Sequence, residues 1–357
     1  MIVLDAHCDA PSQMYRLRDF GIDNERGQVD FPKMKRGGVD ASFFAAFVPA
    51  SRKGDEATRY ADALLDTVDR QMAANKAVSA YARTSDEIRY NKEHGLLSVM
   101  LGIENASPIQ ESRQLLDHYY KRGVRYVTLT HSADNQVGDS CTGADTWGGL
   151  SPFGKEFISW MNDTGMLIDL AHSSDSTIHD VLAVSKSPVA YTHGCCRSLA
   201  SHRRNLPDDL IRGIADSGGI VCMSIYPCFL SDEFVDILDK SGLLSKLWVE
   251  DDYIADPSDP KKIKAWWDVQ DELAALARPK VSRVVDHIEH AIETAGIEHV
   301  GIGTDYDGIE VTAEGMEDIS KFSVLWDEMR RRGFSETELK MVAGENFMRV
   351  LDKVQAK

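Results

Sequence analysis

The sequence predicts an α/β protein of the (β/α)8 type, a TIM-like barrel, on three observations. Short apolar runs with strand character alternate with longer helix-like runs, the pattern of a parallel sheet with crossover helices. Eight such strand-like runs are present, the number that closes this barrel. Six of them stop in polar residues that bind metals or move protons, and together these supply four His and three carboxylates. In a barrel the C-terminal strand ends meet in one pocket, so the pattern points to a metal hydrolase.

The first run, Ile2-Val3-Leu4, leads into Asp5-Ala6-His7-Cys8-Asp9 and predicts a strand over residues 2–7. The second strand is expected over 40–47. The third, over 96–104, ends in Glu104, and the fourth, over 126–130, is followed by His131. Strands over 167–171 and 189–192 run into His172 and His193. The seventh is expected over 219–225, and the eighth, over 300–304, stops at Asp305. Between them, helical patterns cover 56–81, 109–121, 152–164, 177–184, 208–216 and 281–294. A last one covers 335–350, where Ser335-Glu336-Thr337-Glu338 reads as a capping box. One domain over residues 1–357 is expected. Two stretches exceed a minimal barrel: 135–151, rich in Gly, Asp and Thr, and a polar insertion around 227–279. Both are expected to project from the face that carries the His and carboxylate ends, as walls or lids of the pocket.

The 357 residues are 43% hydrophobic and 27% charged, an ordinary soluble composition. The net charge of -17 argues against nucleic acid or an anionic membrane as partner. No apolar run approaches the roughly 20 residues of a membrane helix, and residues 1–7 enter a strand with no basic leader. The cytoplasm is therefore the expected location. The six cysteines fit neither a zinc ribbon nor a CxxC pair and are expected to be reduced.

The candidate chemistry lies at the strand ends. His7 and Asp9 are two apart, so on a strand both reach one side while Cys8 points away. Glu104 ends an apolar run, where an unpaired buried carboxylate is costly; a metal resolves this, and its two oxygens can bridge two ions. His172 and His193 end consecutive strands, so their rings can converge, and neutral imidazole is a common zinc ligand. Asp305 ends the last strand, beside the first when the barrel closes, and suits proton transfer next to a metal-bound water. His131 reads as a ligand or as an electrophile that steadies an oxyanion. Arg204 suits two-pronged capture of a substrate carboxylate, although a solvated basic patch with Arg203 is the alternative. The remaining seven histidines read as structural or surface residues, and neither HExxH nor GxSxG occurs.

These motifs resemble the membrane (renal) dipeptidase family of binuclear zinc peptidases, within the amidohydrolase-like barrels. The resemblance runs from Asp5-Ala6-His7-Cys8-Asp9 to Gly344-Glu345-Asn346-Phe347-Met348-Arg349-Val350. It is carried by Thr128-Leu129-Thr130-His131, Gly149-Leu150-Ser151-Pro152-Phe153-Gly154, Leu167-Ile168-Asp169-Leu170-Ala171-His172, Arg203-Arg204-Asn205 and Gly301-Ile302-Gly303-Thr304-Asp305-Tyr306-Asp307-Gly308. It implies that His7 and Asp9 hold one zinc, that His172 and His193 hold the other, and that Glu104 and a water or hydroxide bridge the two. Asp305 would then handle the proton, His131 the tetrahedral intermediate and Arg204 the substrate's C-terminal carboxylate, with Tyr226 lining the pocket.

The implied substrate is a small dipeptide, with a D-residue accepted at its C-terminal position, and the implied assembly is a homodimer of a bacterial-type cytosolic member. Two departures are Cys8 between the first ligands and Asn105 after Glu104, where Gly is usual. Two other functions fit the same residues: an N-acyl amino acid deacylase or cyclic amide hydrolase, and a non-catalytic zinc-binding barrel. The second is disfavoured because structural zinc sites are usually closed and Cys-rich.

Overall fold

A computed structural model describes residues 1–356. Nine parallel strands run β1 Leu4–Cys8, β2 Ala41–Phe47, β3 Ser79–Tyr81, β4 Leu97–Glu104, β5 Val124–Thr128, β6 Leu167–Asp169, β7 Val189–Gly194, β8 Ile220–Met223 and β9 Val300–Ile302. Eight of them, in the order β1-β2-β4-β5-β6-β7-β8-β9, form a nearly closed TIM-like barrel, as the sequence predicts. β3 is additional. It pairs with residues 97–99 of β4, and β5 takes the same strand from Leu101 onward. The sequence pattern places 79–81 in a helix, but that helix, Gly54–Ala74, ends before Asn75.

Strand alternation sets the layers. Leu4, Phe43, Ala45, Met100, Tyr126, Leu167, Ala190 and Ile220 share the inner cluster, plugged by Phe347, Met348 and Leu351 of the helix Asn346–Gln355. Phe44, Val99, Leu101, Ile103, Val127 and Ile168 belong to the larger outer layer beneath the helices. The capping box at Ser335 forms as expected, but its helix, Glu336–Lys340, is short, and a wider turn over Met341–Glu345 separates it from Asn346–Gln355.

The barrel closes between β9 and β1 without a regular ladder. Asp5 supplies acceptors there, taking hydrogen bonds from the Thr304 amide (2.8 Å) and hydroxyl (2.7 Å). The Asp9 amide then bonds to the Tyr306 carbonyl, and the Asp305 amide to the His7 carbonyl. Beyond β8, residues 227–279 fold into four helices, Pro227–Leu230, Asp232–Ser241, Val249–Ala255 and Pro260–Ala274, with one short turn. No helix among the described residues is long and apolar enough to cross a membrane.

Candidate metal centre and active site

Each candidate residue is delivered by a strand end, and several of those ends depart from regular geometry. The register of β1 shifts between Asp5 and Cys8, and that of β7 between Tyr191 and Gly194. Leu4, Ala6 and Ala190 face inward, so strict alternation would turn His7 and His193 outward. The irregularities re-aim both, as bulges beside active sites do, and their rings lie 3.8 Å apart. Cys8 turns away as expected, toward the Ser42 hydroxyl. His172 and Asp305 lie just past β6 and β9 at φ 66° and 65°, a left-handed conformation that costs a non-glycine residue energy and clusters at functional sites. Asn105 sits at φ 77°. Glycine adopts this left-handed region freely, and Asn tolerates it best after Gly.

Glu104 stands at the centre. One carboxylate oxygen, Oε2, lies 3.6 Å from His7 Nε2, and the other, Oε1, lies 2.9 Å from His172 Nε2 and 3.5 Å from His193 Nε2. Asp9 Oδ2 is 3.4 Å and Asp305 Oδ1 3.9 Å from His7 Nε2. The donors fall into three overlapping groups, each within 4.8 Å: His7, Glu104 and His193; Glu104, His131 and His172; His7, Asp9 and Asp305. His7 Nε2 and Asp9 Oδ1 are buried with no hydrogen-bond partner. Leaving such atoms unpaired is expensive.

The charges point the same way. Burial alone would lower the pKa of His7, yet the carboxylates of Glu104, Asp9 and Asp305 push it up to about 10. Those three acids call for a positive charge where His7 Nε2 points. Burial raises Glu104 well above the usual carboxylate range and Asp305 to about 7. Burial, with Arg204 nearby, also drives His172 and His193 well below the usual imidazole range and His131 down to about 3. Three neutral imidazoles beside buried carboxylates form a donor set that fits divalent ions.

His131 faces the cluster from the loop after β5. Its Nε2 is 3.9 Å from Glu104 Oε1, and its ring packs between those of Phe47 and His172. Arg204 is 4% exposed. Its guanidinium donates to the Tyr191 hydroxyl (2.6 Å) and the His193 carbonyl (3.1 Å), while its Nε has no partner. Arg204 is therefore buried and is not part of a solvated patch, whereas Arg203 is exposed. Burial opposes its charge, but Tyr191, Cys141, Asp305 and Glu104 keep it cationic.

A cavity of about 420 Å³ opens over the cluster, with Asp9, Glu104, His131, His172 and Asp305 in its floor and Tyr226 in its wall. The insertion reaches it through Glu250, Asp251 and Ile254. The 135–151 stretch does not. It lines a neighbouring cavity with Asn135 and Trp147, and it supports the site from behind through a hydrogen bond from the Ser140 hydroxyl to the His131 carbonyl.

Three contacts beneath the candidate residues have no counterpart in the sequence pattern: Tyr126 against His7, Tyr191 against Arg204, and Asp169 with Thr192 against His193. Asp169 carried a signal, a charged residue inside the apolar run 167–171.

A parallel α/β barrel with a buried His/carboxylate cluster at its strand ends is the arrangement of a metal-dependent hydrolase. The chain belongs to the membrane dipeptidase family (peptidase family M19), whose model matches residues 1–357. It is 31% identical over 353 residues to the dipeptidase aclJ of Aspergillus oryzae, covering 96% of this chain and 74% of that one. It is 30% identical over 338 residues to the dipeptidase verJ of Clonostachys rogersoniana, covering 92% and 76%. The crystal structure of the probable dipeptidase PvdM from Pseudomonas aeruginosa superposes with a TM-score of 0.83 at 25% identity, covering all of this chain and 96% of that one.

Proposed function

We propose that this chain hydrolyses dipeptides at a centre of two zinc ions, one held by His7 and Asp9, the other by His172 and His193, with Glu104 shared. The observation that carries this reading is the division of Glu104, whose two oxygens face different histidine sets. When bound, such ions polarise a scissile carbonyl and bring the pKa of a water toward neutrality.

The chain's own groups do the rest. Arg204 receives the C-terminal carboxylate, which gives its unpartnered Nε–H an acceptor. Tyr226 and the insertion bound the space for the side chains. His131, neutral at working pH, donates a hydrogen bond to the carbonyl oxygen as negative charge builds there. Asp305, in the cavity floor beside His7, accepts the proton of the attacking water and delivers it to the departing amine. A free carboxylate fixed by Arg204 favours dipeptides over longer peptides. From the family resemblance, a D-residue at that end is also accepted.

A panel of L,L- and L,D-dipeptides, N-acyl amino acids and cyclic amides, assayed with zinc-loaded protein, tests the reading. Dipeptides are expected to be turned over best. Preferential turnover of N-acyl amino acids or cyclic amides would reassign the reaction. Two bound zinc ions with no turnover of any substrate would make the barrel a non-catalytic zinc protein.

A further inference from the structure

We propose that Asp169, acting through Thr192, is a positioning residue that fixes the tautomer of His193 and leaves its Nε2 lone pair facing the cluster. Asp169 ends β6 and is fully buried. It makes no ion pair among the described residues, and donors surround it. Its Oδ1 accepts from the amides of Thr192 (2.9 Å) and Ala171 (3.2 Å). Its Oδ2 accepts from the hydroxyls of Thr128 (2.5 Å) and Thr192 (2.7 Å).

The direction of the chain follows from counting hydrogens. A threonine hydroxyl has one hydrogen, and Thr192 commits it to Asp169. The same oxygen lies 2.9 Å from His193 Nδ1, so it can only accept there, and Nδ1 must carry the proton. A neutral imidazole has one N–H, which leaves Nε2 bare. That nitrogen points at His172 Nε2 (3.0 Å) and Glu104 Oε1 (3.5 Å). The geometry is built tightly: a side chain at residue 303, a glycine on the neighbouring segment after β9, would overlap the Thr192 carbonyl oxygen. A hydroxyl between carboxylate and imidazole does here what a direct carboxylate–histidine contact does at many metal sites. The consequence for metal binding rests on the two-ion reading above; the tautomer does not.

The test is long-range 1H–15N NMR on metal-free protein labelled with 15N-histidine at neutral pH, with His193 assigned from the signal lost in His193→Gln. The wild type is expected to show His193 as the Nδ1–H form. Thr192→Val removes the relay oxygen and should mix the tautomers, and Thr192→Ser should restore the wild-type pattern. Asp169→Asn should present its amide to Thr192, reverse the hydroxyl and favour Nε2–H; if that variant fails to fold, the Thr192 pair still decides. Competition titration with a zinc chelator should show about 10- to 100-fold weaker binding of one ion in Thr192→Val, and recovery in Thr192→Ser. An Nε2–H His193 in the wild type, or an unchanged tautomer in Thr192→Val, would overturn the proposal. Wild-type protein with the Nδ1–H tautomer but no zinc affinity would uphold the relay and refute the metal centre.

Discussion

The hydroxyl of Tyr126 hydrogen-bonds Nδ1 of His7 across the barrel interior at 2.8 Å, in a space that exists because residue 102 is glycine. A Cβ at Gly102, on the neighbouring strand β4, would overlap the Tyr126 ring. The floor of the site is thus built from strand register as well as from the His and carboxylate side chains.

Gly102→Ala is therefore expected to overpack the barrel and push Tyr126 off His7. Overpacking of this kind costs about 1–3 kcal/mol, readable as a lower urea midpoint at unchanged slope. Tyr126→Phe keeps the ring and should cost about 1 kcal/mol, while zinc affinity falls in both variants. Wild-type zinc affinity in both would mean that the tyrosine only fills space.

Arg204→Met should lower kcat/KM for dipeptides by the equivalent of about 2–5 kcal/mol, the loss typical when one member of a buried charge pair is removed. The sharper readout is a dipeptide with an amidated C-terminus. Wild-type enzyme should discriminate strongly against it, and Arg204→Met should not. Equal discrimination by both proteins would place the carboxylate elsewhere.

Asp305→Asn should retain both metal ions and lose roughly 10²- to 10⁴-fold in kcat. Elemental analysis and steady-state kinetics on one preparation check this. An unchanged kcat would remove Asp305 from proton transfer.

His287 governs one part of the acid stability. It is fully buried, accepts from the Cys196 amide through Nδ1 and donates to the Leu230 carbonyl through Nε2. Burial holds its pKa down to about 4 from 6.5. Because the folded value is depressed, the unfolded chain binds the extra proton first. The stabilisation is complete above pH 6.5 and is lost as pH falls toward 4, by about 3 kcal/mol. His287→Gln should flatten the stability curve across that window in urea titrations. A slope as steep as wild type would assign the effect to other groups.

Much of the barrel was legible because burial imposes a simple code. A strand buried on both faces is an uninterrupted apolar run, and its last residue marks the pocket: Glu104 after 97–103, Asp305 after 300–304. Cross-strand relations were not legible. β3 is three residues long and lies within what reads as the tail of a helix, so only its pairing to β4 defines it. The rings of His7 and His193 reach the centre through shifts in register that no local pattern announces. Arg204 reads from sequence either as a carboxylate clamp or as half of a basic surface pair with Arg203, and only the fold buries it against Tyr191. Asp169 and Thr192 are separated by 23 residues, and their contact exists only in the parallel register of β6 and β7.

The central claim, a hydrolytic centre of two ions divided across Glu104, is tested most directly by titrating metal-free protein with zinc while following hydrolysis of one good dipeptide. Bound zinc is counted by elemental analysis at each point. Turnover should be absent without metal, rise to a plateau at two equivalents, and disappear again with 1,10-phenanthroline. Full turnover in verified metal-free protein, or a plateau at a single equivalent, would contradict it.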